Sequence, residues 1–129
     1  MADSKGKTIA FWILTGLIIV SQGFSGVADL LQMQALVDGV TDLGYPVYIL
    51  RILGHFKILG VITLAMPGYT RLKEWAYAGF FFDFVGAFLS HFFNGDSIDL
   101  VLPALIATFV LLGSYFLRPE SRRLPGPVL

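Results

Sequence analysis

The chain has 129 residues, 56% of them apolar and 14% charged, and its 9 Lys and Arg balance 9 Asp and Glu. With no net positive charge to neutralise phosphates it is not a nucleic-acid binder, and it is too apolar for a disordered chain. The absence of cysteine excludes disulfide frameworks, thiolate nucleophiles, Fe–S clusters and cysteine zinc sites.

A soluble domain carries about 25% charged residues, so this chain lacks the polar exterior that water requires. Its mean hydropathy of +0.75 points to a small integral membrane protein of one domain. A membrane helix needs about 20 mostly apolar residues. The first predicted span covers 9–31, after the polar start Asp3-Ser4-Lys5-Gly6-Lys7. It is too long for a signal peptide and is followed by no A-x-A-like cleavage site. Residues 32–46 read as a loop, the longest connection in the chain. The second span covers 47–66 and is stopped by Pro67-Gly68. The third covers 75–93 and closes at Asn94-Gly95-Asp96, and the fourth covers 98–117 and ends at Arg118-Pro119. The expected fold is therefore an all-α membrane protein, a four-transmembrane-helix bundle filling the single domain 1–129.

Charge placement predicts orientation. Lys5, Lys7, Arg71, Lys73, Arg118, Arg122 and Arg123 flank one side of the spans, whereas the other two connections carry only Asp38, Asp42 and Asp96. The positive-inside rule then puts both termini in the cytoplasm, as an even number of spans requires. Trp12, Tyr69, Trp75, Tyr77 and Tyr115 fall near the inner interface, and Tyr45 and Tyr48 near the outer one.

Ionisable side chains at membrane depth are costly and so become functional candidates. Asp29, Arg51, His55, Lys57, Asp83 and His91 qualify, with Glu74 and Asp99 at span ends. At about 1.5 Å of rise per residue, Lys57 and Asp83 both reach the midplane, which predicts an ion pair between the second and third spans. Arg51, His55, His91 and Asp29 fall in the outer half, with Gln22 on the same face of the first helix as Gly26 and Asp29. Together they form a candidate polar pocket for a ligand, and Arg51–Asp29 is a candidate second pair. The plainer reading is that Arg51 and the histidines snorkel or bind carbonyls, and that the midplane pair only sets helix register. Two small-residue faces, Thr15/Gln22/Gly26/Asp29 and Gly79/Asp83/Gly86/Ser90, predict close helix contacts. The surrounding phenylalanines read as core and lipid contact. No HxxxH or ExxH spacing supports a metal, and no haem, flavin or nicotinamide fingerprint is present.

Several segments resemble a known family. They are Gly23-Phe24-Ser25-Gly26 leading to Asp29-Leu30, then Leu43-Gly44-Tyr45-Pro46, then Leu53-Gly54-His55-Phe56-Lys57-Ile58-Leu59-Gly60. The most specific is Leu72-Lys73-Glu74-Trp75-Ala76-Tyr77-Ala78-Gly79-Phe80, followed by Gly86-Ala87-Phe88-Leu89-Ser90-His91 and Ser114-Tyr115-Phe116-Leu117-Arg118-Pro119. Together, over nearly the whole chain, these resemble the DoxX-like family of small four-helix bacterial inner-membrane proteins. The resemblance implies a multi-pass protein of that membrane. Through relatives associated with thiosulfate:quinone oxidoreductase and membrane oxidoreductase complexes, it also implies a link to quinone. With no cysteine, redox chemistry would need a borrowed cofactor or quinone. Three readings follow: a subunit binding quinone or another lipophilic molecule, with His55 or His91 bonding its carbonyl; a small proton-coupled exporter; or a non-catalytic scaffold for a partner enzyme or a second copy of the chain.

Overall fold

Ser4 starts the first helix: its hydroxyl accepts from the Lys7 amide, and the Thr8 hydroxyl bonds back to the Ser4 carbonyl. In the computed structural model, which describes residues 4–124, this helix is α1, Lys5–Leu30. It is followed by α2 (Gln34–Asp42), α3 (Ile49–Ala65), α4 (Thr70–Phe93), α5 (Ile98–Phe116) and a 3-10 turn, Glu120–Arg122. The described residues are all helix, turn and coil. The expected polar start and the last residues of the domain fall partly at 1–3 and 125–129, outside the described residues.

Three helices, α1, α4 and α5, are long and apolar enough to cross a membrane. The fourth long helix, α3, has 17 residues, about 25 Å at the usual rise. Contacts join α1 to α3 and α5, and α4 to α5 and α3, so the long helices close into a ring. Chain direction alternates around it. One end, here the tail end, gathers Lys5, the Pro67-Gly68 turn and the 3-10 turn. The other carries α2 and the Asn94-Gly95 turn.

Two expectations change. Residues 32–46 are not simply a loop, because Gln34–Asp42 forms α2. Leu36, Val37 and Val40 lie on its half-buried face while Gln34, Ala35, Asp38 and Asp42 are exposed, an amphipathic helix too short for hydropathy to detect. The third span also starts earlier than Trp75: α4 begins at Thr70 and so carries Arg71, Lys73 and Glu74 within its first turns.

Chain reversals at the α2 end share one device. After α1, Gln32 takes a positive φ, the Gln32 amide bonds the Asp29 carbonyl and the Met33 amide bonds the Ala28 carbonyl. Gly44 after α2 and Gly95 after α4 repeat this doubly bonded ending, which satisfies carbonyls a helix end would leave bare.

The core comes from all four long helices: Ile18 of α1, Leu64 of α3, Tyr77, Phe80 and Phe84 of α4, and Leu111 of α5. Outward faces are equally apolar. Val20, Phe24, Phe56, Phe82 and Phe109 each have more than 60% of their surface exposed. Such a girdle is untenable in water and suits a lipid surround, in which every backbone polar group must be satisfied within the chain.

Candidate functional site

Close approach of α1 and α3 rests on two glycines. A Cβ at Gly54 would lie 2.9 Å from the Gly26 carbonyl oxygen and 2.7 Å from Leu30, and one at Gly26 would lie 3.1 Å from the Lys57 Cβ. This near contact brings Lys57 of α3 against α1. Its ammonium donates to Asp29 Oδ2 at 2.8 Å and to Ser25 Oγ at 3.0 Å. Asp29 is 2% exposed, so the pair is a buried ionic contact between helices.

Lys57 makes its direct ion pair with Asp29, on the opposite neighbour of α3, and acts on the expected partner Asp83 only through a longer-range charge interaction. The reason is distance between backbones. The α1–α3 crossing is a glycine contact, whereas α4 stands off and leaves a groove of about 630 Å³ between itself and α3. Lys57 and Asp83 both line that groove, with Phe56, Trp75, Phe80 and Gly79. The expected Arg51–Asp29 pair is absent for the same reason, since Lys57 already occupies Asp29.

The small-residue faces divide. That of α1 makes close contacts at Thr15, Gly26 and Asp29, while Gln22 is half-buried. That of α4 does not: a Cβ at Gly79 or Gly86 would meet nothing within 4 Å. Gly79 fronts the α3–α4 groove and Gly86 a second hollow beside Leu43, Tyr45 and Ser90. Where α3 and α4 do touch, Gly60 receives the Phe80 ring.

The outer-half candidates are not drawn into one pocket. His55 is exposed, with Nδ1 2.6 Å from the Arg51 carbonyl one turn back, and Arg51 is itself exposed. His91 pairs with Asp96 at 2.7 Å within its own helix-ending turn, where Asn94 also bonds Asp96. Tyr45 and Ser90 share a 2.6 Å hydroxyl contact that ties the start of α3 to α4. Among the described residues, no three His, Asp or Glu side chains converge as a metal site.

The tail end holds polar structure that hydropathy did not reveal. Lys73, placed by the sequence in a cytoplasmic connection, is 1% exposed. Its ammonium donates to the carbonyls of Thr63 at 2.8 Å, Gly68 at 2.7 Å and Met66, closing the open end of α3. Arg122 reaches the Leu64 and Met66 carbonyls from the 3-10 turn and lies over the Trp12 ring at 4.7 Å. Burial lowers the Arg122 pKa from its usual value, yet a guanidinium starts so high that it stays charged. Arg118 pairs with Glu74 and stacks over Tyr115 at 3.8 Å, and the Tyr115 hydroxyl donates to Glu74 at 2.8 Å. Deeper in, Ser114 Oγ lies 2.6 Å from Thr15 Oγ1 and 2.7 Å from Tyr77 Oη, a buried hydroxyl junction of α1, α4 and α5. The clue to these residues was their position: cations near predicted helix ends can turn onto the bare carbonyls of a neighbouring helix end, here that of α3, instead of facing water.

These features define a multi-pass helical membrane protein with a charged contact between two helices and a groove opening sideways. The sequence profile of the DoxX-like family matches residues 13–113, and the chain belongs to that family. No curated protein and no solved structure matches the chain.

Proposed function

We propose that the chain is a bilayer-embedded subunit that holds a lipophilic small molecule, with quinone the leading class, in the groove between α3 and α4. In this reading α3 is the fourth span, the short helix being matched by local thinning of the bilayer. Both termini face the cytoplasm of a bacterial inner membrane. The observation that carries the reading is the groove itself. It has about 630 Å³ of space, walls of Phe56, Trp75, Phe80 and Phe82, and two charged side chains, Lys57 and Asp83, at its polar point. Binding sites for drug-sized ligands have this composition: mostly apolar and aromatic, with few polar groups to fix orientation. Phe56, Trp75 and Phe82 are each more than 60% exposed on the bundle's outer surface, so a ligand enters from the acyl chains and not from water.

The test uses purified protein extracted in mild detergent, with mass spectrometry of retained lipophiles. Gly79→Phe fills the groove where the backbone has open space. Retention by the natural chain and loss in Gly79→Phe supports the reading. A natural chain that retains nothing, or a variant that retains as much, overturns it.

The exporter is the second reading, favoured by one observation: Asp83 is a membrane-depth carboxylate with no direct partner among the described residues. Substrate-driven proton flux in vesicles that Asp83→Asn abolishes would raise it above the first.

A further inference from the structure

Two hollows lie in line on α4. The outer one, of about 490 Å³, is bounded by Tyr45, Gly86, Ser90 and Asn94, at the level where α4 ends and α3 begins. The inner one is the α3–α4 groove that holds Asp83 and Lys57. Gly86 follows Asp83 by three residues on the same face, about 4.5 Å along the axis. A Cβ at Gly86 would meet nothing within 4 Å, so no α4 side chain stands between the Asp83 carboxyl and the outer hollow. Polar groups mark both ends of this route. Asn94, Ser90 and the Tyr45 hydroxyl lie at the outer end, and Asp83 and Lys57 at the inner end. Ser90 is seven residues from Asp83, about 10 Å of rise, a gap that three or so hydrogen-bonded waters span. Among the described residues Asp83 has no direct hydrogen bond or ion pair; Lys57 and Asp29, the charges that act on it, are paired with each other. A carboxyl left so at membrane depth is costly unless water reaches it. Toward the tail end the groove offers water nothing comparable. Phe80 packs on Gly60, the walls beyond are Leu72, Trp75 and Ala76, and the Thr63 hydroxyl is spent on the Leu59 carbonyl.

We propose that the outer hollow and the groove form one water-accessible passage that runs from the α2 side of the membrane to Asp83 and ends there. The Asp83 carboxyl then exchanges its proton with water on that side and not with water at the tail end. This goes beyond the groove reading and holds whichever lipophile the groove takes.

The chain has no cysteine, so single thiols report hydration one position at a time. Asp83→Cys and Gly86→Cys are compared with Phe24→Cys, a position 73% exposed on the outer surface of α1 and nearer its helix end than Asp83 is. Each variant, in sealed vesicles, meets a charged, membrane-impermeant methanethiosulfonate from either side, and the adduct is read by mass spectrometry. Asp38→Cys, on the exposed face of α2, reports which side carries α2. From that side Asp83→Cys and Gly86→Cys are expected to react about tenfold or more faster than Phe24→Cys, the loss of thiolate that a rise of about one pKa unit in apolar surroundings produces. From the other side Asp83→Cys is expected to stay at the Phe24→Cys rate. Gly86→Leu fills the open space and, added to Asp83→Cys, is expected to bring its rate down to that of Phe24→Cys. Reaction at Gly86→Cys without reaction at Asp83→Cys overturns the passage, as does reaction at neither. Equal reaction of Asp83→Cys from both sides overturns the closed tail end. A rate that Gly86→Leu leaves unchanged overturns the route. Lipophile retention plays no part in these readouts, so a failed retention test leaves the passage standing and a failed labelling test leaves the groove reading standing.

Discussion

Replacing Lys57 with Met removes the ammonium and keeps most of the aliphatic stem, so the change isolates the charge. Asp29 is then left 2% exposed, beside the close Gly26–Gly54 contact of α1 with α3. Removing one partner of a buried ion pair typically costs about 3–5 kcal/mol, because the remaining charge loses both solvent and counter-ion. Replacing the pair by apolar groups of similar volume is often neutral, so Lys57→Met with Asp29→Leu should recover to within about 1 kcal/mol of the natural chain. Asp83→Asn should cost less than about 1 kcal/mol, since it breaks no direct pair. All four proteins would be titrated with sodium dodecyl sulfate in mild detergent micelles, following helix content to the unfolding midpoint. A double variant as weak as Lys57→Met, or an Asp83→Asn variant equally weak, would refute the assignment of Asp29 as the partner.

Other outcomes follow from the remaining contacts. Ser114→Ala deprives the buried Thr15 and Tyr77 hydroxyls of their shared partner and should lower stability by about 1–3 kcal/mol in the same titration. Gly54→Ala places a methyl against backbone and should cost about 1–3 kcal/mol, whereas Gly86→Ala, in open space, should be neutral or stabilising by up to about 1 kcal/mol. Lys73→Met should accelerate amide exchange in the last turn of α3 more than in the first, and equal acceleration at both ends would count against the cap. Reporter fusions at Asp38 and Asp96 should read as external and a fusion after Leu129 as cytoplasmic. Any other pattern overturns the topology.

The four long helices were legible because lipid leaves a long, simple signature: runs of apolar residues broken by Pro67-Gly68 and Asn94-Gly95. Asp29, Lys57 and Asp83 were equally legible as costly charges, and their depths come from counting residues. Which carboxylate Lys57 meets was not legible, because depth gives height along the bundle and says nothing of spacing across it. That spacing depends on what faces each glycine. Gly26 and Gly54 face each other's helices, while Gly79 and Gly86, which have the same sequence signature, face empty space. Lys73 falls in a connection between spans on the sequence pattern because hydropathy scores a side chain by its type. The carbonyls that make its burial tolerable belong to the backbone of another helix.

The carbonyl cap of Lys73 has a mechanical side. It joins Arg122, the Glu74–Arg118 pair and the Thr15–Ser114–Tyr77 junction at the tail end, so directional polar bonds brace all four long helices there. Toward the α2 end, the polar tie between the α3 and α4 segments among the described residues is the Tyr45–Ser90 contact, and that contact is exposed. The described polar bonds between helices are thus denser at the tail end than between α3 and α4 at the other end. Loads on the bundle would splay α4 from α3 like the blades of shears, with the pivot near Lys73 and the gap widening past Asp83. On the proposed reading of the groove, a bulky ring would enter sideways there while the braced pole stays closed, and the leaflet from which it arrives would be set by where the polar bonds lie.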